Sequence, residues 1–194
     1  PLGNDFLVET AGVGVDTLDF ATFGAGVTIN LDSVASQPIA GATIRLSDAM
    51  GFENVIGTDF NDTLGGNSRD NVLTGGKGND LLEGRAGDDL YVFSGPNVGS
   101  DSVIEVGGAD SDTLDFSALS APLNLNLSVT SQKLHDSYWL TLSSGEGIEN
   151  VIGTGFGDTI IGNARDNYLY GAGGADRLEG MAGNDYLQAD VTQT

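Results

Sequence analysis

The sequence has no cysteine, one histidine, one tryptophan and only seven Lys and Arg residues. Without cysteine there is no disulfide framework, so any staple must be packing or metal. One histidine excludes an H-E-x-x-H zinc site, which needs two. The seven basic residues face 28 Asp and Glu, for a net charge of −21. Such a chain lacks the basic surface that nucleic acid or an anionic membrane requires. Its self-repulsion opposes compaction unless cations bind. No run is long and apolar enough to cross a bilayer as a helix, and no signal peptide is visible.

What is abundant is glycine, 30 residues of 194. Glycine makes an unfolded chain entropically costly to order, so a largely disordered metal-free state is expected. The glycines fall in a strict frame. Residues 57–92 read GTDFNDTLG GNSRDNVLT GGKGNDLLE GRAGDDLYV, and residues 153–188 read GTGFGDTII GNARDNYLY GAGGADRLE GMAGNDYLQ. Glycine opens every nonapeptide, Asp or Asn takes the sixth place, and in nearly every unit a large apolar residue takes the eighth.

Six residues of each unit are turn-like and three are strand-like. Glycine permits positive φ and close backbone approach, which lets carbonyls converge. The sixth-place acid adds a hard anionic oxygen. Carbonyls with carboxylates suit Ca2+, which takes about 6–8 oxygens in a forgiving geometry. The tail is a short strand with one apolar side chain inward and its neighbours outward. One apolar residue in nine makes no core alone, but stacked copies do. A metal-free solenoid of Asx and Gly turns explains the glycines and the apolar period, yet not an acid or amide held at the sixth place through eight units.

The repeat is larger than nine residues. Residues 5–94 align with 101–190 at a constant offset of 96, with DTLDF at 16–20 and 112–116 and ENVIGT at 53–58 and 149–154. Two tandem modules are expected, 1–100 and 101–194, and the alignment starts and stops near a module edge, as expected of a piece of a longer array. Each module opens with an acidic Gly-rich turn, in which Glu9 with Asp16, and Glu105 with Asp112, are further candidate ligands. Residues 26–47 and 122–143 alternate apolar and polar, as half-buried strands do, and diverge most between copies. The lone His135 is expected to be exposed, and Trp139 to pack rather than face outward as a sugar platform. The nine-residue frame extends back to 48–56 and 144–152, where Glu53 and Glu149 take the sixth place. It fails at SGPNVGS, residues 94–100, a linker into the second module.

At these residues the chain resembles the RTX, or haemolysin-type, calcium-binding repeats of secreted bacterial proteins. It is more closely similar to the C-terminal β-roll of serralysin-type metalloproteases, which also carries D-T-x-D-F, I-N-L, I-E-N-x-I-G and G-N-x-x-D-N-x-L stretches. The resemblance implies an all-β fold, a right-handed parallel β-roll with two nonapeptides per coil and Ca2+ between turns one coil apart. It also implies a ligand set: the second, fourth and sixth residues of one unit with the first, third and sixth of the unit two later. In the first module that groups Thr58, Phe60 and Asp62 with Gly75, Lys77 and Asp80, and Asn67, Arg69 and Asn71 with Gly84, Ala86 and Asp89. In the second it groups Thr154, Phe156 and Asp158 with Gly171, Gly173 and Asp176, and Asn163, Arg165 and Asn167 with Gly180, Ala182 and Asp185. Only the sixth residues act through side chains. Phe60, Arg69, Phe156 and Arg165 replace a fourth-place glycine, so those turns need another device. Asn71 and Asn167 replace Asp.

The function expected is that of a non-catalytic Ca2+-binding scaffold in a larger secreted protein, with at least two ions per module and neighbouring modules as partners. The resemblance implies export unfolded from a Ca2+-poor cytosol and folding outside the cell. Extracellular modules bind Ca2+ at roughly 10⁻⁴–10⁻³ M, which suits that switch. A polysaccharide-active, epimerase-like β-helix would need carboxylates converging on a cleft with an acid or base partner, and these acids sit in metal turns. A glycan-binding adhesin module, through Trp139 or the acidic face, is the other alternative.

Overall fold

The structure, a computed structural model, describes residues 3–9, 12, 14–96, 98–105, 107–136 and 138–190. Ten strands fill the first half: β1 (Asn4–Leu7), β2 (Thr17–Asp19), β3 (Thr28–Asn30), β4 (Gln37–Ile39), β5 (Ala42–Leu46), β6 (Asn54–Ile56), β7 (Thr63–Gly65), β8 (Val72–Thr74), β9 (Leu81–Glu83) and β10 (Leu90–Ser94). Their counterparts 96 residues on are β11 (Ser100–Ile104), β12 (Thr113–Ala118), β13 (Asn124–Asn126), β14 (Ser131–His135), β15 (Tyr138–Leu142), β16 (Asn150–Ile152), β17 (Thr159–Ile161), β18 (Tyr168–Ala172), β19 (Arg177–Glu179) and β20 (Tyr186–Ala189). Among the described residues there is no helix.

Successive nonapeptide strands alternate between sheets, which is the signature of a parallel β-roll. One sheet runs the whole length in the order β2-β6-β8-β10-β12-β16-β18-β20, every neighbouring pair parallel. The other strands form a sheet β3-β7-β9-β11-β15-β14 and two three-stranded pieces, β1-β5-β4 and β13-β17-β19. The register stacks the eighth-place residues on one another. Leu18, Val55, Leu73, Tyr91, Leu114, Val151, Leu169 and Leu187 form one column. Ile29, Leu64, Leu82, Val103 and Leu142 form another. All but the terminal Leu187 are buried. Each buried side chain contributes about 1.5–3 kcal/mol, so the column, not any single unit, sustains the fold.

Two pairs break the parallel rule. β4 with β5 and β14 with β15 are antiparallel hairpins set into the solenoid. At the first, Ala40 and Gly41 both take positive φ, 34° and 89°, as a two-residue hairpin turn demands. Within β15, Tyr138, Leu140 and Leu142 point inward, so strand alternation turns Trp139 outward, 48 % exposed. The packing role expected of Trp139 is therefore corrected to a surface position; His135 is exposed as expected.

The turns come in two kinds. The last two units of each block use positive φ at the second place (Gly76, Arg85, Ala172, Met181) and at the fourth (Gly78, Gly87, Gly174, Gly183). The first two units have no glycine at the fourth place and build the turn with a side chain. Thr58 Oγ1 accepts from Phe60 N at 2.9 Å and Asn67 Oδ1 from Arg69 N at 2.9 Å, with Thr154 and Asn163 repeating the device at 3.0 Å each. Those side-chain turns answer the missing glycine freedom. Gly78 must also pass over the coil below: a Cβ there would lie 2.6 Å from the Phe60 carbonyl carbon.

Gly78→Ala is therefore expected to cost at least about 2 kcal/mol, from strained φ plus overpacking. Met181→Gly is expected to stabilise by about 0.5–1 kcal/mol, because an exposed side chain at φ 74° is relieved of left-handed strain. Denaturant titrations at one fixed, saturating Ca2+ concentration measure both; a Met181→Gly variant that loses stability contradicts the strain argument.

Candidate metal centre

The sixth-place side chains stack in ladders. In the last two units of each block the side chain accepts a hydrogen bond from the backbone N–H of the sixth-place residue one coil earlier. Asp80 Oδ1 accepts from Asp62 N at 2.8 Å, Asp89 Oδ1 from Asn71 N at 2.7 Å, Asp176 Oδ1 from Asp158 N at 3.0 Å and Asp185 Oδ1 from Asn167 N at 3.0 Å. The four residue pairs grouped by the family resemblance are thus adjacent. So are backbone members of those sets. The carbonyl of Thr58 meets Lys77 N at 3.3 Å, that of Thr154 meets Gly173 N at 3.2 Å, and that of Asn163 meets Ala182 N at 3.4 Å. The carbonyls of Gly84 and Gly180 close in on Gly66 and Gly162. The turns at Phe60, Arg69, Phe156 and Arg165 lie directly under Gly78, Gly87, Gly174 and Gly183.

The ladders continue through the linker, where the nine-residue frame stops. Asp101 Oδ1 accepts from Asp80 N at 2.9 Å, and Asp112 Oδ1 from Asp89 N at 3.0 Å. Asp101 is buried, and sequence reasoning missed it. The signal was available: it is the 96-residue counterpart of Asp5, and it lies 21 residues after Asp80, close to one coil. Asp89, Glu105 and Asp112, all buried, bring carboxylate oxygens within 4.8 Å of one another. Tyr91 Oη donates to Glu105 and accepts from Gly84 N at 2.8 Å. Glu9 and Asp16, the counterparts of Glu105 and Asp112, lie only partly buried at the opposite end, with Glu9 N bonded to Ser47 Oγ and Asp16 N to Glu53 Oε2.

Counter-charge is unevenly supplied. Arg69 pairs with Glu53 and Arg165 with Glu149, so each of these glutamates already faces a guanidinium. Among the described residues no Lys or Arg pairs with Asp62, Asp80, Asp89, Asp101 or Asp112. Burial pushes the Asp80 carboxyl up to about 7, with the neighbouring Asp62 adding to it against the N–H bond that lowers it. Burial raises Asp89 to about 8, opposed by the Asn71 N–H and reinforced by Glu105, Asp112 and Asp70. Asp101 rises to about 8 and Asp112 to about 7, again chiefly by burial. Asp80 Oδ2 and Asp89 Oδ2 are buried with no hydrogen-bond partner. Orphaned carboxylate oxygens beside convergent carbonyls fit a hard, oxygen-seeking cation. Asn71 differs: its Oδ1 accepts from Asn67 N at 2.8 Å and its Nδ2 donates to the Glu53 carbonyl at 2.9 Å, so protein alone satisfies it.

Comparison with protein families matches the RTX calcium-binding nonapeptide repeat, in four copies, over residues 53–91 and 152–187. Comparison with curated proteins finds no match. No helix is long and apolar enough to cross a membrane among the described residues.

The raised carboxyls set a pH dependence for the calcium-free chain. Their folded values of about 7–8 exceed the unfolded value near 4, so the metal-free fold binds more protons than the unfolded chain between those limits. Their contribution is fully present below about pH 4 and is lost as pH rises to about 8. In chelator, circular dichroism should show more β structure at pH 5 than at pH 8, and Ca2+ added at pH 7 should release protons. Chelated stability that climbs with pH across this window would contradict it.

Proposed function

Both nonapeptide blocks being RTX calcium-binding repeats, we propose that the chain is the calcium-loaded β-roll scaffold of a larger secreted protein, ordered outside the cell once Ca2+ reaches it. Two tandem modules, 1–100 and 101–194, make up this region. The observation that carries the reading is the ladder of buried carboxylates without basic partners, two of which keep an orphaned oxygen. Bound Ca2+ supplies positive charge and accepts oxygen donors. The residues holding it are Asp62 with Asp80, and Asp158 with Asp176, together with the carbonyls of Thr58, Phe60, Gly75 and Lys77 and their counterparts. Asp89, joined by Glu105 and Asp112, and Asp80, joined by Asp101, extend the sites across the middle of the solenoid. In a cytosol poor in Ca2+ the same carboxylates keep the chain open, because two unit charges ~4 Å apart repel by about 1 kcal/mol in water and by more in a drier turn. Thirty glycines add to the entropy that must be overcome. The chain's role on this reading is mechanical.

Two measurements test this. Circular dichroism in EDTA at pH 8 should report a largely disordered chain, with millimolar Ca2+ restoring β structure and Mg2+ substituting poorly, since Mg2+ demands octahedral geometry and sheds water reluctantly. An unchanged β spectrum after chelation would sink the proposal. Calcium titrations should then separate two kinds of sixth-place residue. Asp80→Ala should raise the Ca2+ midpoint of folding more than Asn71→Ala, because Asp80 offers charge to two neighbours while Asn71 fills its own turn. Asn71→Ala should lower stability even at saturating Ca2+, by about 1–3 kcal/mol for its lost buried bonds. Equal midpoints for the two variants would show that carboxylate count does not order the sites.

A further inference from the structure

Between the acidic turn of the second module and its nonapeptide block lies one more rung of the solenoid, built like the others but filled differently. The acidic turn fits the nine-residue frame: residues 107–115 read GGADSDTLD, with Gly108 second, Asp112 sixth and Leu114 eighth. The next coil is the degenerate unit 144–152. Asp112 N donates to Glu149 Oε2 at 2.9 Å, the sixth-place bond that Asp158 N makes to Asp176. Leu114 registers on Val151. The Glu146 carbonyl faces Gly107, 2.7 Å from where a Cβ would stand, as the Gly171 carbonyl faces Gly153 at 2.9 Å and the Gly75 carbonyl faces Gly57 at 2.4 Å. Coil 144–152 thus offers coil 107–115 what one nonapeptide coil offers another, a converging carbonyl and a sixth-place acid.

What these oxygens hold is a side chain. Arg165 reaches back from the following coil. Its Nη1 pairs with Glu149 Oε1 and donates to the Glu146 carbonyl at 3.0 Å, and its Nη2 donates to the Gly108 carbonyl at 2.7 Å. One guanidinium therefore gathers a carboxylate and a carbonyl from one coil and a second-place carbonyl from the coil before. The first module repeats every contact. Arg69 Nη1 pairs with Glu53 and donates to the Met50 carbonyl at 2.9 Å, and Nη2 donates to the Gly12 carbonyl at a longer 3.5 Å. Asp16 N donates to Glu53 Oε2 at 2.8 Å, as Asp112 N does to Glu149. The separations to the two carbonyls are the same in both copies, 57 and 19 residues. Both arginines stand at the fourth place of a unit whose turn is made by an asparagine side chain, so the position is open to a long residue. Phe60 and Phe156, at the same place one unit earlier, stay exposed.

We propose that each arginine sits in the place of an ion: every module has one further cation site, between its acidic turn and its block, which the chain fills with its own guanidinium and which opens to Ca2+ when the arginine is removed. This rests on the calcium reading above and adds to it a rung that is held at any Ca2+ concentration. Glu53 and Glu149 are then ligands of a guanidinium rather than of Ca2+.

An ordinary salt bridge does not account for the geometry. Exposed pairs need only a carboxylate and contribute little. Here the Glu53 and Glu149 side chains are 4 % and 6 % exposed, and two carbonyls from different coils converge with each. Such a cradle of oxygens calls for a cation. Guanidinium suits it because it presents five N–H donors in a plane and is more weakly hydrated than an ammonium. Its tether keeps it at a fixed local concentration, whatever the ion concentration outside. Without the arginine, the Asp112 and Glu149 carboxylates and the Gly108 and Glu146 carbonyls are left facing one another. Those are the hard oxygens that Ca2+ collects, with water completing its shell of about 6–8. Two carboxylates match a divalent charge, where guanidinium balances one.

Counting bound ions by equilibrium dialysis of the 194-residue chain against Ca2+ tests this. Arg165→Ala should bind one Ca2+ more per chain than wild type, Arg69→Ala likewise, and the double variant two more. Each should keep the wild-type β circular dichroism at saturating Ca2+. Alanine is suitable because neither arginine takes positive φ. Glu149→Gln in an otherwise wild-type chain should leave the count unchanged, whereas in the Arg165→Ala background it should remove the added ion. An unchanged count in the arginine variants overturns the proposal and reduces the contact to a structural ion pair. An arginine variant that no longer folds in saturating Ca2+ also overturns it, because the ion then cannot take the guanidinium's place. Loss of an ion from Glu149→Gln alone overturns it too, by making Glu149 a Ca2+ ligand in the wild-type chain. A wild-type chain that binds no Ca2+ removes the calcium reading itself, so the two failures are told apart.

Discussion

The structure hangs on one repeated hydrogen bond, from the backbone N–H of a sixth-place residue to the side-chain oxygen of the sixth-place residue in the next coil. That bond does two things at once. It locks coil to coil in register, so that every eighth-place side chain lands on its predecessor. It also stacks acid upon acid in a buried wall. The separation between the partners varies, 18 residues within a block, 21 and 23 at its end, and 37 across the hairpin of the second module, yet the bond is kept at each of these steps; at Asn71 and Asn167 an amide Nδ2 donating to the glutamate carbonyl one coil earlier takes its place. Insertions are therefore absorbed by the loops, while the acid wall and the apolar column stay continuous from one half to the other.

The same wall explains the composition. Asparagine holds register another way: the Nδ2 of Asn71 and of Asn167 donates to the Glu53 and Glu149 carbonyls one coil earlier, while Oδ1 accepts from its own turn. Aspartate keeps the bond but leaves a second oxygen with no partner, as at Asp80 and Asp89. On the calcium reading proposed above, that oxygen is a liability in the metal-free fold and a ligand in the loaded one, which is why the fold and the ion are not separable questions. Glycine is required by the same crowding: coils stacked ~4.8 Å apart leave no room for a side chain where one turn crosses the backbone of another, as at Gly78.

The nonapeptide frame, the inward column and the sixth-place pairing are local properties with an 18-residue period, and they were legible in the sequence. The features that were not legible depend on what happens where the period breaks. Asp101 lies beyond SGPNVGS, out of frame, and only the coil geometry returns it to Asp80. The hairpins β4/β5 and β14/β15 are announced by no more than an Ala-Gly pair between alternating runs in the first module. Trp139 sits in a run, YWLTL, in which either parity buries something large; the ring of Tyr138 against Phe93 and Phe116 decides it, and that contact joins residues far apart in sequence. Glu53 and Glu149 fit the frame of a ligand, and nothing local in the sequence says that Arg69 and Arg165, sixteen positions on, turn back to meet them.

That last pairing gives each block a polarity. With seven basic residues in the chain, two are committed to the same place in each half, the glutamate at the head of the nonapeptide block. There the ladder is neutralised by the protein itself. One coil later asparagine carries no charge, and beyond it Asp80, Asp89, Asp101 and Asp112 have no basic partner among the described residues. Along the ladder of Glu53, Asn71 and Asp89 self-sufficiency thus declines from guanidinium to amide to bare carboxylate, whereas the ladder of Asp62, Asp80 and Asp101 has no basic partner at any step. On the calcium reading proposed above, the cation's charge falls where the protein supplies none, at Asp62 and Asp80 within a block and at Asp89, Asp101 and Asp112 where one block meets the acidic turn of the next, so folding within a block and joining of blocks draw on the same ion.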